Sequence, residues 1–557
     1  MKKIISILVS ATLCACCLLI TAPAAAASDS INVTLPNFKV TMNGEVVNND
    51  YSKYPLIVYK DITYFPMTYS DCRFLGIEST WTGNSTGLLI DSTGVTAAYN
   101  PYLSKERNRR NYTASIPSFP VSVNGKAIDN GREEYPIISF RDITYFPMTW
   151  KYCVDQFAWD YTFDAGSGLS IKSANAKLDQ ISIPKNRLLE GFGYYYEKKS
   201  TAVMAKNGYC YYVDDKGAVM QAPLSDMSKA KKVFQLEIWS YGDGKTFDMH
   251  SFYEENGKAY LFFHSGGATM GSDHRYVLHE DGTAQRIQGS YYDTALIGDK
   301  LYMWWNGHAP NPGNLSVQEA NDIDAGETFK ALGPADYWYY SLTDINGLPI
   351  FTLIGDELYV RAAKVLKDYD DSGGERVLDD IGIYTVNTTT GALTKVSQAK
   401  GNVLNAQMVG EYIYFVSSAM DGSQSDYRVY KSSLKDASET FLGDYTGNEI
   451  WRPQFAVVGE QVYYVNDETL YRLAGNENLN PKAKVVSISI TGDNGEFLAC
   501  TFKETQDSKY RVMVFDKSGN AVFKTSDSGS NAVVESNTLY FYNITTETLC
   551  KTVLGGS

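Results

Sequence analysis

Between residues 38 and 90 apolar side chains fall on alternate positions in short bursts, the period of strands with one buried face. Phe38-Lys39-Val40-Thr41-Met42 alternates in this way, and Asn43-Gly44 turns it back into Glu45-Val46-Val47, a strong hairpin signal. Leu56-Ile57-Val58-Tyr59 and Ile62-Thr63-Tyr64-Phe65 form a second pair around Lys60-Asp61. Pro66, which has no amide hydrogen to donate, is expected to close that ladder. Thr68 to Leu75 is long enough for two helical turns, and Gly76 ends them. Trp81 and Leu88-Leu89-Ile90 supply the last strands, so the expected element is a small antiparallel sheet folded over one short helix.

The same pattern then returns. Asp61-Ile62-Thr63-Tyr64-Phe65-Pro66-Met67-Thr68 recurs unchanged at Asp142 to Thr149, displaced by 81 positions. Carried outward without a gap, that offset aligns Pro36–Ile90 with Pro117–Ile171, and 21 of the 55 pairs are identical, including Cys72/Cys153 and Gly87-Leu88/Gly168-Leu169. The chain therefore opens with two copies of one module, expected at 31–95 and 112–175.

The Asn-Gly turn, Tyr54-Pro55-Leu56-Ile57, the Asp61 to Met67 strand, the short helix and a Trp together resemble the copper amine oxidase N-terminal-like domain. The second copy fits from Asn124 to Ile171. Both depart from the family's pattern, with Asp-Ile before the Thr-Tyr where Gly-Arg is usual, and with Thr68 and Thr149 where an Arg is usual. The resemblance implies a stalk-like accessory module of secreted Gram-positive proteins, without copper of its own. Amine oxidation is not expected: its copper needs three histidines, two in an H-x-H pair, and His250, His264, His274, His279 and His308 contain no such pair.

From about Arg187 onward one phrase repeats, a Gly- or Asn-containing turn followed by an alternating aromatic strand. Examples are Gly298-Asp299-Lys300-Leu301-Tyr302-Met303, Gly410-Glu411-Tyr412-Ile413-Tyr414-Phe415 and Gly459-Glu460-Gln461-Val462-Tyr463-Tyr464. Eight such phrases, starting 35 to 57 residues apart, suit one four-stranded blade each. The expected fold is mainly β: two small α+β modules plus a β-propeller over 186–557, with eight blades favoured and seven the alternative. The last unit lacks an outer strand, which is expected from near Gly191–Tyr196, so that pairing of the two ends closes the ring and removes free edges. The region resembles the uncharacterised Tyr-rich propeller-like domains that follow such stalk modules in secreted bacterial proteins.

Lys2 and Lys3, the apolar run from Ile4 to Ile20 and small residues up to Ala27 read as a secretory signal peptide over 1–27, cleaved after Ala27. The competing reading is a lipoprotein box acylated at Cys16. Loss of both lysines leaves 48 basic against 64 acidic residues, a net charge of −16 that disfavours nucleic acid as a partner. The basic run from Lys105 to Arg110 lies between the copies and reads as a solvated linker. No later apolar run reaches the ~20 residues a bilayer crossing needs, so no membrane insertion is expected. Cys72, Cys153, Cys210, Cys500 and Cys550 remain in the mature chain, an odd number. Cys72 and Cys153 are either bridged or two buried thiols.

Chemistry-bearing candidates are few. Asp368, Asp370, Ser372, the Gly374 carbonyl and Asp379 follow the ligand order of a calcium loop, against which stands an acidic solvated hairpin loop. Trp239, Trp305, Trp338 and Trp451 could line a glycan- or peptide-binding face, or pack between blades. Trp304 and Trp305 point to opposite sides of one strand, so at most one serves any given face. The five histidines fall within residues 250–308 at spacings that match no motif, and the G-x-S-x-G, H-E-x-x-H and phosphate-loop signatures are missing. No cofactor is expected beyond that calcium.

These features favour a secreted, non-catalytic binding or scaffold protein of the bacterial envelope, whose propeller meets a protein, peptide or glycan. The alternatives are an extracellular polysaccharide or peptide hydrolase or lyase, and an envelope sensor or assembly factor. A deep central funnel gathering two or three carboxylates or histidines would favour the enzyme. A broad aromatic face would favour the binder.

Overall fold

The computed structural model describes residues 30–184, 203–241, 244–247, 249–255, 257–265, 272–288, 292–305, 314–319, 329–345, 348–368, 376–397, 402–418, 427–447, 454–480, 482–505 and 509–555. The chain divides into two compact units, Met1–Cys72 with Glu78–Ser92 and Pro101–Ile171, and Arg73–Ile77 with Thr93–Asn100 and Lys172–Ser557.

In the first unit both expected hairpins form in each copy. Thr41 faces Val46 around Asn43-Gly44, and Val58 faces Thr63 around Lys60-Asp61, whose residues take φ of 47° and 62°. The helix is Tyr69–Phe74. Its counterpart Lys151–Gln156 is a π-helix. Phe157 stands where the first copy has Gly76, and the left-handed residue that ends the turn falls one position later, at Ala158 with φ of 52°.

The strands do not stay within their own copy. Val40–Met42 pairs in parallel with Gly168–Lys172 of the second copy, and Leu88–Ser92 pairs in parallel with Val121–Val123. These two exchanges are the same contact seen twice, since Leu169↔Val40 and Leu88↔Val121 interchange under the 81-residue offset. Six further strands close a barrel in the order Ser30–Thr34, Ile57–Tyr59, Ile62–Pro66, Ile143–Pro147, Ile138–Phe140, Asn111–Ser115. Phe65 faces Phe146 and Asn32 faces Thr113, equivalent residues paired with each other, so a twofold pseudo-axis runs through both seams. The expectation of two self-contained sheets thus gives way to one interlocked unit. Three strands from each copy cannot close alone, and joining them removes the edges that either half would expose. Tyr64 and Tyr145, wholly buried, fill the barrel with Val33, Ile57, Ile138 and Phe140.

Eight blade sheets make up the described part of the second unit. Their first strands are Val203–Lys206, Met249–Glu255, Tyr292–Ile297, Tyr337–Tyr340, Val403–Val409, Phe455–Val458, Ala483–Thr491 and Gly529–Glu535, numbered here as blades 1 to 8. Each neighbouring pair, blade 8 with blade 1 included, shares its own buried apolar cluster, so the ring is closed. The repeated Tyr of the sequence phrase is what these clusters use: Tyr260, Tyr302, Tyr414 and Tyr463 are fully buried. Each such ring removes roughly 150–250 Å² from water.

Closure does come from the N-terminal side, but through a different strand from the one expected. Asp179–Ser182 pairs with Thr548–Val553, Ile181 opposite Leu549, as the outer strand of blade 8. Gly191–Tyr196 lies outside the described residues. The propeller unit therefore starts before residue 186. It also takes in Thr93–Asn100: Thr96 bridges to Thr525, and the Ala98 amide donates to the buried Asp527 carboxylate at 2.8 Å. Blade 4 is the irregular one, because the hairpin Thr343–Ile345/Leu348–Ile350 interrupts its inner edge and reaches the inner strands of blades 3, 5 and 6.

Candidate functional site

The inner strands surround an axial cavity of about 830 Å³. Its wall takes Met204 from blade 1, Phe252 and Phe262 from blade 2, Phe351 after the inserted hairpin and Met408 from blade 5, together with Ser487, Ser489 and Thr491 of blade 7 and Ser530 of blade 8. Two adjacent carboxylates, Glu254 and Glu255, end the inner strand of blade 2 and line this space, as does Asp493.

A buried ion network supports these acids. Lys206, at the end of the blade 1 inner strand, lies 3.8 Å from Glu254 and 3.0 Å from Glu535 of blade 8. Glu535 also accepts the Asn207 amide at 2.9 Å, and Glu254 accepts the Gly257 amide at 3.2 Å and the Thr491 hydroxyl at 3.4 Å. Blades 7, 8, 1 and 2 thus meet around one ammonium group. On the other side Arg275, 3% exposed, donates to Glu255 at 3.2 Å, to the Tyr253 hydroxyl at 2.7 Å and to the Thr294 carbonyl at 2.7 Å. Burial pushes the Glu255 carboxyl up to about 7 against the pull of Arg275, and it raises Glu254 as well. One oxygen of Glu255 has no hydrogen-bond partner within the protein. Opposite, Gln407 clasps blade 6, donating to the Val457 carbonyl and accepting its amide, both at 2.8 Å.

The residues singled out from sequence lie elsewhere. Asp368 directly follows the strand Glu357–Lys367 and is paired with Arg376 at 2.8 Å, while Asp379 lies inside the partner strand Val377–Asn387, opposite Lys364. Asp370, Ser372 and Gly374 lie outside the described residues. Trp338 is buried, with the Arg376 guanidinium 3.6 Å above its ring. Trp239 and Trp305 sit on the strands Ile238–Tyr241 and Lys300–Trp305, and Trp451 lies outside the described residues. Trp304 packs on Phe351 at 4.4 Å and so backs the cavity wall. His250, His264 and His274 occupy strands of blade 2, His274 stacked on Phe263 at 4.7 Å, and His308 lies outside the described residues. Among the described residues no cluster of three or more His, Cys, Asp or Glu is arranged to hold a metal. Cys72, Cys153, Cys210, Cys500 and Cys550 are buried thiols, and burial raises Cys153, Cys210 and Cys550 to about 12, far from nucleophilic.

No known family profile matches the chain, and no curated protein matches it. Among solved structures it is similar to propeller-containing proteins. A dipeptidyl peptidase 4 of Porphyromonas gingivalis shares 9% identity over 67% of this chain and 62% of that one, at a TM-score of 0.39. Prolyl endopeptidases share 14%, over 56% and 50%, at 0.33. An oligogalacturonate lyase of Vibrio parahaemolyticus shares 10%, over 55% and 79%, at 0.29. The chain spans less than two thirds of the length of either peptidase. At these scores the likeness carries no functional argument, and the propeller assignment rests on the strand pairing and the closed series of inter-blade clusters.

Proposed function

We propose that this is a secreted, non-catalytic envelope protein whose propeller binds a ligand in its axial cavity, with the interlocked tandem unit as a stalk of the copper amine oxidase N-terminal-like kind. The observation that carries the reading is the cavity of about 830 Å³, a size suited to a small ligand or the end of a peptide or glycan, whose wall mixes apolar side chains with hydroxyl, amide and carboxyl groups. Ion pairing of Glu254 and Glu535 to Lys206, across blades, and of Glu255 to Arg275, within blade 2, supports binding over chemistry, because these acids are already engaged in holding the frame. The signal-like N-terminus supports export.

The test is thermal melting of the mature chain with peptides and envelope glycan fragments, alongside Ser489→Trp, which places an indole in the cavity. A ligand at about 100 times its Kd adds about 2.7 kcal/mol to stability, so the wild type should melt higher and the variant should not respond. Equal responses, or none across both ligand classes, would remove the reading. A second reading, a hydrolase or lyase, draws on the carboxyl of Glu255 at about 7, the range of a general acid. Turnover of a glycan or peptide that disappears in Glu255→Gln, with melting behaviour retained, would establish it instead.

A further inference from the structure

Four hydroxyl groups of the axial cavity have no part in holding the fold. Ser251 of blade 2, Thr352 of blade 4, and Ser487 and Ser489 of blade 7 line the space, and each is half-buried. None of these hydroxyls has a hydrogen-bond partner among the described residues, and their oxygens keep accessible surface. The blade 7 strand is shaped to present two of them. A bulge between Val485 and Ser487 adds one residue, so that Val485, Ile488 and Ile490 all reach the apolar cluster shared with blade 6 while Ser487 and Ser489 take the other side. Without the bulge, Ser487 would share a side with Val485. In blade 2, Ser251 stands directly opposite the half-buried Phe262, which sets a hydroxyl beside an aromatic ring on one face of the sheet.

The charged groups around this space are already engaged. Glu254 is paired with Lys206, Glu255 with Arg275, and Asp493 accepts the Ser536 amide at 3.1 Å. No Lys, Arg or His stands among the described lining residues. A ligand that brings a charge of either sign therefore gives up its hydration and meets no unengaged countercharge. A wholly apolar ligand would instead cover the four hydroxyls and leave them unpaired. Each hydroxyl both donates and accepts, so the fitting ligand is dense in neutral groups that do the same. The end of a peptide carries an ammonium or a carboxylate, whereas the end of a neutral glycan carries hydroxyls and a ring face that can lie on an aromatic side chain. Resting on the pocket reading above, we infer that the axial cavity takes the end of an uncharged oligosaccharide. Its hydroxyls would bond to Ser251, Thr352, Ser487 and Ser489, and a sugar ring would cover Phe262.

Calorimetric titration of the mature chain tests this with four neutral sugars, cellotetraose, maltotetraose, mannotetraose and chitotetraose, beside tetragalacturonate, fully deacetylated chitotetraose and tetraglycine. At least one neutral sugar should bind about ten-fold or more tighter than each of the three charged probes, with an affinity that does not change with ionic strength. Ser487→Ala and Thr352→Val should each weaken that binding by about three- to ten-fold, one hydrogen bond apiece, at an unchanged melting temperature, and Ser489→Trp should abolish it. Equal or tighter binding of a charged probe, loss of affinity with salt, indifference to Ser487→Ala and Thr352→Val, or no neutral sugar bound would overturn the inference. If a charged sugar or tetraglycine binds in place of the neutral sugars and Ser489→Trp abolishes it, the pocket reading survives while the ligand class does not. If no probe binds, both fall.

Discussion

Asp71 offers a test of the energetics of the interlocked unit. Its carboxylate is 9% exposed, accepts the Thr68 hydroxyl at 2.6 Å, and lies in the first turn of the Tyr69–Phe74 helix. Burial raises its pKa from 3.8 to about 6. The folded state therefore holds the proton more tightly than the unfolded chain. Stability is complete below the ordinary carboxyl value and is lost as pH climbs through about 6. The difference corresponds to about 3 kcal/mol at most. In Asp71→Asn the amide oxygen accepts the same Thr68 proton without a charge to desolvate, while the helix N-terminus gives up about 0.5–1 kcal/mol of favourable interaction with an anion. The variant should thus be more stable than wild type by about 2 kcal/mol at about pH 8, and indistinguishable or slightly weaker at about pH 4. Amide exchange measured on peptides covering residues 62–75, corrected for intrinsic rates, reads this locally and leaves the propeller out of the measurement. A stability gap that is the same at both pH values, or a variant weaker than wild type at the higher one, would refute the reasoning.

Two further perturbations probe the frame. A Cβ on Gly87 would stand 1.7 Å from the Pro120 carbonyl oxygen, and one on Gly168 would stand 2.0 Å from that of Lys39, both at positive φ. Gly87→Ala and Gly168→Ala should each cost more than the ~1–2 kcal/mol of left-handed strain alone, and by similar amounts, as urea unfolding of the two variants would show. Ile181→Pro removes the amide of a residue paired with Leu549 in the closing strand, and should lower propeller stability by about 2 kcal/mol, seen as a lower propeller transition in scanning calorimetry with the tandem-unit transition unmoved.

The local elements were legible in the sequence wherever one residue type is forced by the backbone. Asn43-Gly44 is the dipeptide that a tight hairpin with positive φ at both positions selects, and both residues take it. The blade rhythm was legible because Tyr and β-branched residues alternate between two inter-blade clusters. Partner choice was not, because alternation fixes which face of a strand is buried and says nothing of which strand lies beside it. Val40 reads identically whether it pairs within its own copy or with Leu169. The closing strand escaped for a related reason: Asp179-Gln180-Ile181-Ser182 has one apolar residue, while the Tyr-rich stretch further on carries the stronger pattern. Glu254 and Glu255 were hidden among 64 acidic residues. Their one signal is that two consecutive residues of a strand face opposite sides, so a pair of acids ending an aromatic inner strand places at least one of them inward.

The reciprocal exchange of Val40–Met42 and Gly168–Lys172 has a consequence for what half of this unit would do alone. Severed from its twin, either copy keeps a half-barrel with two raw seams and a parallel edge waiting for a guest. The twofold pseudo-axis makes another molecule of the same half the fitting guest, so an isolated repeat should form homodimers. Fusion in one polypeptide replaces that encounter between strangers with a tether, and what would otherwise depend on concentration becomes an internal property of every chain.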